Sequence, residues 1–599
     1  MQYRNDIDTL KGIAIIAVVL FHLGVVKSGY LGVDIFLVIN GFLIVPSLCE
    51  KMVTGKISYF SFIKARLMRL WPMVVLLSLV CLAIGYIGML PDDYENLGES
   101  AVASNLFSEN ILLSITTKDY WNVSNDYNPL MHLWYVGVIF EFYLLYPLVV
   151  TVVGGGKRQI NRQLCLCVTI LLCIVSLVIY LSPNFDDSAK FYYLPFRLFE
   201  FLLGGLCGLL SLTTKVKRLG YYGLLGLLVV LVYSSIVFLD FQSVGTDVLK
   251  IGGDNIIEPQ AIIFPKQVML LSTVLLVLLL IMSGVEGNRL KSRFLSYVGK
   301  RSYSLFIWHQ AMIAFFRYFY SSRITVVFLI VFIVVLLLLS EATYSLVEKR
   351  FVKYKHSLPI TIVAVAIVII CGGGIYMRAG VVRDVPELDV QSGKAYRGMH
   401  AAYVDRIYQY NVDFLDANGR MNVLVEGNSY GRDMANILLE SEYKDSINLS
   451  YLFQWKEDAI ERIRRADCIF TFCGRNEVPA YVWKNMKPTC LVYGIGTKNY
   501  GQCNGVFYRN RNSDGYFNQT APLNSWYWEK NEEWRKEWGD NYIDLLRLSL
   551  VDGKYVRVFT DDKRYMSQDC YHLTRAGAQW YARQLNFEKI LKRRNKRNT

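Results

Sequence analysis

The sequence predicts a chain in two parts, a multi-span α-helical membrane domain of about 10–11 transmembrane helices followed by an α/β domain with a mostly parallel sheet. Three observations carry this. Long apolar runs fill the chain up to about Tyr376 and then stop. The polar stretches between those runs alternate between cationic and acidic. Beyond Tyr376 the sequence turns charged, aromatic and Asn-rich, and short apolar runs alternate with amphipathic stretches. Composition agrees, with 53% of the 599 residues hydrophobic and a mean hydropathy of +0.28. The expected boundaries are 1–377 for the membrane domain, 378–410 for a linker and lead-in, and 411–599 for the α/β domain.

A span needs roughly 20 mostly apolar residues. Windows near 13–26, 30–48, 73–90, 131–153, 164–181, 194–212, 220–239, 262–283, 303–320, 324–347 and 358–377 come close to this. With the N-terminus inside, the inner loops carry Lys51/Lys56/Lys64/Arg66/Arg69, Lys157/Arg158/Arg162, Lys215/Lys217/Arg218, Arg289/Lys291/Arg293/Lys300/Arg301 and Lys349/Arg350/Lys353/Lys355. The outer loops carry Asp92/Asp93/Glu95/Glu99, Asp186/Asp187 and Asp240/Asp247/Asp254/Glu258. This positive-inside pattern and an odd number of spans put everything after Tyr376 outside. Met1–Lys11 leads into an apolar run with no small-residue cleavage site, so no cleaved leader is expected. The net charge of +14 then reads as cationic inner loops beside membrane lipids, not as a nucleic-acid surface. The 12 cysteines show no metal-ligand spacing, so no metal is expected. Cys468, Cys473, Cys490, Cys503 and Cys570 fall in the second part, and their odd number leaves at least one thiol free.

Ionisable residues inside the apolar windows are costly and so are candidates for function. His22 closes the first run, Asp34 sits in Gly32-Val-Asp-Ile-Phe and His309 in Phe306-Ile-Trp-His-Gln. Arg66 and Arg69 stand one helical turn apart before Trp71-Pro72. Arg197 and Glu200 have the same spacing and are placed to pair on one helix face. The plain alternative for each is a structural hydrogen bond or ion pair.

Tyr3-Arg-Asn-Asp-Ile-Asp-Thr-Leu-Lys before Phe21-His22 opens a series of motifs, followed by Gly29-Tyr-Leu-Gly-Val-Asp-Ile-Phe-Leu-Val-Ile-Asn-Gly-Phe-Leu-Ile44 and Lys64-Ala-Arg-Leu-Met-Arg-Leu-Trp-Pro72. Next come His132-Leu-Trp134 leading to Phe142-Tyr-Leu-Leu-Tyr-Pro147, Tyr297-Val-Gly-Lys-Arg-Ser-Tyr-Ser-Leu-Phe-Ile-Trp-His309 and Tyr344-Ser-Leu-Val-Glu348. In these motifs and their order the chain resembles the acyltransferase-3 family. The resemblance implies transfer of an acyl group, commonly acetyl from acetyl-CoA, to an extracytoplasmic acceptor. It makes His22 the catalytic base or transient carrier and sets Arg66 and Arg69 near the cytoplasmic entry, where cations suit the phosphates of coenzyme A. Lys11, a further cofactor-binding candidate by the same resemblance, stands where the family usually has Arg. After His132-Leu-Trp134, Ile139 and Phe140 stand where the family carries one or two Glu, and Glu141 is the nearest substitute.

In the second part, Asn422-Val-Leu-Val-Glu, Ile447-Asn-Leu, Asp467-Cys-Ile-Phe-Thr-Phe, Thr489-Cys-Leu-Val-Tyr and Tyr555-Val-Arg-Val-Phe read as strands. Asp433-Met-Ala-Asn-Ile-Leu-Leu reads as a helix, as does Trp526 to Leu550. Parallel sheets place chemistry at the carboxyl ends of their strands. Ser429 lies there in Val425-Glu-Gly-Asn-Ser-Tyr-Gly, and Gly474-Arg-Asn476 follows the third strand. A turn serine alone is common and says little. Near the C-terminus, Ser567-Gln-Asp-Cys-Tyr-His-Leu-Thr sets Asp569 three residues before His572, so one turn can hold carboxylate against imidazole.

Together these segments resemble the SGNH (GDSL-like) hydrolase and acyltransferase family, Asp-x-x-His-Leu-Thr being the most diagnostic. The resemblance implies that His572 takes the proton of Ser429, Asp569 orients the imidazole, and the serine forms an acyl-enzyme. Asn476 and the Ser429 N–H would donate to the oxyanion. No glycine occurs between Gly431 and Gly474 to match the family's oxyanion glycine, and a backbone N–H near Ser450 is the expected substitute.

The two resemblances on one chain imply an O-acetyltransferase of the bacterial plasma (inner) membrane, with its C-terminal domain periplasmic or extracellular. The donor would be acetyl-CoA, and the acceptor an envelope polysaccharide: lipopolysaccharide O-antigen, peptidoglycan or capsule. Trp526, Tyr527 and Trp528 could stack on sugar rings or serve as helix core. A membrane-anchored glycan O-acyl esterase is the rival enzyme reading. A glycan transport or export component with a non-catalytic outer domain is the rival from another class.

Overall fold

The computed structural model describes residues 4–56, 58–116, 127–155, 160–211, 222–230, 266–283, 292–321, 323–414 and 419–591. Among these residues six helical segments are long and apolar enough to cross a membrane: Lys27–Val53, Tyr59–Gly88, Met131–Val153, Arg162–Leu181, Val326–Lys353 and Ser357–Met377. Shorter helices, Asn5–His22, Leu194–Leu209, Lys266–Met282 and Ser302–Phe319, pack among them. Each expected window except 220–239 falls on a helix. That window lies in large part outside the described residues, as do the charged stretches at 157–158, 215–218, 240–258 and 289–291.

Two differences matter. The helix Tyr59–Gly88 begins well before the window at 73, so Lys64, Arg66 and Arg69 ride on a helix rather than in a loop. The acidic stretch expected as an outer loop is helical over Pro91–Asn105 and Glu109–Thr116. Pro91 starts the first of these and Asp92 and Asp93 fill its first turn, where they complement the helix dipole. Its small residues allow a close crossing with Ser357–Met377: a Cβ on Gly98 would lie 2.9 Å from the Gly372 carbonyl oxygen.

The α/β domain has a five-stranded parallel sheet. With β1 Met421–Glu426, β2 Ile447–Leu452, β3 Cys468–Thr471, β4 Leu491–Ile495, β5 Thr520–Pro522, β6 Tyr542–Ile543, β7 Leu550–Val551 and β8 Tyr555–Arg557, its order is β2-β1-β3-β4-β6. The strand expected at Tyr555 lies instead in a separate antiparallel sheet, β5-β8-β7. The helix expected to reach Leu550 ends at Trp538, because Gly539 takes a positive φ of 53° and turns the chain into the short β6. The stretch after Arg378 runs against this domain, with Ala379, Val381, Val385, Val390 and Ile407 in its core.

The domain docks on one end of the helical bundle. Tyr318, at the end of Ser302–Phe319, accepts the Leu90 N–H (3.0 Å) and donates to Asp93 (2.8 Å). Cys503 Sγ donates to the Tyr318 carbonyl at 3.4 Å. Gly505 lies so close to the same ring that a Cβ would come within 2.3 Å of Cε1.

Candidate active site

Because β1, β3 and β4 are parallel and in register at Glu426, Thr471 and Gly494, the chain leaves all three at one edge of the sheet. After β1, Gly427 adopts φ 138°, and a Cβ there would sit 2.8 Å from Phe472 Cβ. Asn428 caps the next helix by accepting the Tyr430 N–H at 3.0 Å. Ser429 is therefore the first residue of the helix Ser429–Leu439, half-buried at the sheet edge. A helix N-terminus there favours developing negative charge.

The Asp569–His572 pair forms as the spacing suggested. Asp569 Oδ2 accepts from His572 Nδ1 at 2.6 Å, and Oδ1 accepts the N–H groups of Tyr571 (2.8 Å) and His572 (2.9 Å). Desolvation works to raise the Asp569 carboxyl, but the His572 charge and these bonds hold it well below the usual carboxylate range. Their side chains remain 48% and 31% exposed, so a substrate can reach the pair. Between them Cys570 holds φ 142°, a strained geometry for a residue with a Cβ. It persists because the loop is tied at several points: Cys570 N–H to Ser567 Oγ, Tyr500 N–H to the Cys570 carbonyl, and Gln568 N–H to the His572 carbonyl.

The hydrogen bonds do not complete the triad. Neither the Ser429 hydroxyl nor the Asn476 amide is bonded to the dyad, and Asn476 is exposed on the short turn Arg475–Glu477. Ser450 is not past a strand end as expected. The strand β2 runs on to Leu452, and Ser450 lies buried opposite Leu424 with its hydroxyl on the Val412 carbonyl at 2.6 Å. The Trp526–Trp528 segment is mixed, with Tyr527 packed in the core.

Sequence reasoning missed three residues here. Lys498 and Asp433 form a buried ion pair of 2.7 Å beside the dyad loop. Asn504 Nδ2 donates to the carbonyls of Ser567 (2.6 Å) and Gln568 (2.9 Å), tying that loop to the segment that docks on Tyr318. Lys498 was visible as a charge just past the carboxyl end of β4; nothing local marked Asn504.

In the bundle, the three intramembrane histidines meet. The His309 ring centroid lies 5.1 Å from His22 and 5.4 Å from His132, on three different elements. His309 Nδ1 donates to the Phe306 carbonyl (2.7 Å) and His132 Nε2 to the Ile307 carbonyl (3.2 Å). The buried His309 Nε2 and His132 Nδ1 have no hydrogen-bond partner among the described residues. Arg197 pairs with both Asp34 and, at 3.0 Å, Glu200. Glu141 joins none of these; it accepts from Asn110 Nδ2 at 2.8 Å. Glu109, not foreseen, is fully buried and accepts from Ser100 (2.8 Å) and Ser104 (3.2 Å).

Arg66 has a buried Nε with no hydrogen-bond partner among the described residues and stacks over Phe62 and Tyr143. The exposed Arg69 is within electrostatic reach of Lys11, Tyr143, Tyr303 and Glu348, and Lys11 pairs with Asp8 at 3.7 Å. Arg66 and Gly88 share the helix Tyr59–Gly88, separated by about 33 Å of axis, close to the thickness of a hydrocarbon core. His309 lies about 13 Å of helix from Tyr318. Cations, imidazoles and the docked dyad loop are thus arrayed in that order along the bundle.

Comparison with known proteins bears on the helical part. The family described as Acyltransferase domain matches residues 4–344. The O-acetyltransferase OatA of Staphylococcus aureus strain NCTC 8325 is 28% identical over 365 residues, 58% of this chain and 57% of that protein. OatA of strain COL gives the same figures. The chain therefore spans little more than half the length of these relatives. No solved structure matches it.

Proposed function

From the premise that the chain belongs to the acyltransferase family, we propose that it is a membrane O-acetyltransferase that modifies an envelope polysaccharide. Acetyl-CoA is the donor at the cationic end, where Lys11, Arg66 and Arg69 meet its phosphates; the Arg66 Nε, without a partner among the described residues, fits an anionic guest. The acetyl group passes the His22, His132 and His309 rings, His22 acting as base or carrier. It then reaches Ser429 at the other end, on the outer side of a bacterial plasma membrane.

There the chemistry is acyl transfer in two halves. Ser429 Oγ attacks the acyl carbonyl carbon while His572 Nε2 takes its proton, and the leaving group departs with that proton. A sugar hydroxyl then attacks the acyl-serine, giving its proton to His572, which returns it to Ser429 Oγ. Asp569 steadies the imidazolium, and Asn476 with the Ser429 N–H serves the oxyanion, worth about 3 kcal/mol per donor. The observation that carries this reading is the docking of the Asp569–His572 loop, through Asn504 and Cys503, on the helix that bears His309.

The test is mass spectrometry of envelope glycans from cells carrying the wild type, Ser429→Ala or His22→Ala. Loss of one ester in both variants is expected. Unchanged glycans would refute the relay, and an ester that accumulates in Ser429→Ala would mark an esterase instead.

A further inference from the structure

Among the described residues, Lys498 and Asp433 form the most thoroughly buried ion pair of the α/β domain, with side chains 0% and 2% exposed. Burying two charges costs several kcal/mol per ion unless their remaining bonds are met. One such bond from each partner goes to the same loop. Besides its 2.7 Å contact with Lys498, Asp433 Oδ2 accepts the N–H of Leu573 at 3.0 Å. Lys498 Nζ donates to the Tyr571 carbonyl. The pair therefore grips the backbone on either side of His572.

It grips the serine side as well. Asp433 lies one helical turn beyond Ser429 on Ser429–Leu439. Lys498 Nζ sits 4.0 Å from the ring centre of Tyr430, the residue after Ser429, and the Tyr430 hydroxyl donates to the Lys498 carbonyl at 3.2 Å. The ion pair spans the base loop and the nucleophile helix, which no hydrogen bond of Ser429 itself joins.

We infer that Asp433 and Lys498 are positioning residues that set the His572 imidazole against Ser429. This rests on the serine reading above. The pair touches no reacting atom; it acts by fixing residues 571 and 573 around the imidazole. Misplacing a catalytic group by about 1 Å costs on the order of 100-fold in rate.

Removing one charge would strand the other, so the informative variant is Asp433→Asn/Lys498→Met. It keeps an acceptor for the Leu573 N–H and removes both charges together. The full-length protein in detergent is assayed with p-nitrophenyl acetate, alongside the wild type, Ser429→Ala and His572→Ala. The expected result is a kcat lower by about 100-fold with KM within about twofold. In the His572→Ala background the same pair of changes should cost nothing, since its effect runs through the imidazole; a merely structural role would lower the rate in both backgrounds. A kcat within about threefold of wild type, or an equal loss in both backgrounds, overturns the inference. If ester turnover does not depend on Ser429, the proposed function fails and this inference with it.

Discussion

The three imidazoles gathered in the bundle and the single imidazole of the α/β dyad are held on opposite plans. In the bundle, His22, His132 and His309 stand ring to ring, and the hydrogen bonds of His309 and His132 go to backbone carbonyls. Donation from one nitrogen leaves the other with its lone pair free, the form a nucleophile or base needs. In the α/β domain His572 is held by a carboxylate and stays partly open to solvent. An imidazole so paired is set up to hold a proton transiently, as an acyl-serine cycle demands. One residue type thus serves two steps of the proposed relay, and its partner decides which.

The largest effect should separate the two sites. Ser429→Ala should lower Ser429-dependent turnover of a soluble acetyl ester by about 10⁴-fold. His22→Ala should leave that turnover within about threefold of wild type while abolishing acetyl-CoA-dependent transfer. Equal losses of ester turnover in both would mean that the sites are not separable.

Next is a structural break confined to the bundle. Arg197 is the shared partner of Asp34 and Glu200, all buried. Arg197→Ala strands two carboxylates and should cost about 3–5 kcal/mol, read as loss of the monodisperse peak in detergent. A wild-type elution profile and thermal midpoint would contradict it.

The α/β domain carries a pH-dependent element of its own. Burial of Glu426 pushes its carboxyl up to about 7, against a smaller opposing bond from Thr471 Oγ1 at 2.6 Å. The folded domain therefore holds this proton more tightly than the unfolded chain does. Stability from this group is fullest below about pH 4.5 and declines as pH rises through about 7. Glu426→Gln should remove that slope and stabilise the domain at pH 8 by up to about 3 kcal/mol. Thermal melts from pH 5 to 8 check this; parallel slopes for variant and wild type would refute it. Asp569 has the opposite sign, its contribution present at neutral pH and lost only in strong acid.

The bundle and the domain also differed in how much of them the sequence revealed. Apolar length and periodic charge marked where most helices lie, because lipid permits few backbone solutions. The helix Pro91–Asn105 escaped since its polar surface resembles a loop until Ser357–Met377 is packed on it. In the domain, β1 to β4 and the Asp569–His572 pair were readable from local pattern. The two-residue β6 was not, because so short a strand has no periodicity. The roles of Asp433, Lys498 and Asn504 were hidden for a common reason, even though the charge of Lys498 past β4 was not: each gains its meaning from a partner far away in sequence, Asp433 being 140 residues from Leu573.

The smallest predicted effect tests whether the two regions work as one. Gly505 meets the Tyr318 ring so closely that a Cβ would lie 2.3 Å from Cε1 and 2.6 Å from Cζ. Tyr318 cannot yield freely, since its hydroxyl is fixed by Leu90 and Asp93. In Gly505→Ala the segment Cys503–Val506 must therefore lift, and Asn504 would draw the Ser567–Gln568 carbonyls with it. The displaced carbonyls belong to the dyad loop, so soluble-ester turnover and acetyl-CoA-dependent transfer should both fall, each by about tenfold. The companion variant Tyr318→Phe keeps the ring but loses the bonds to Leu90 and Asp93, and it should fall between Gly505→Ala and wild type. If both variants transfer at the wild-type rate, the docked surface is only a resting place, and the acyl group crosses between bundle and domain by another route.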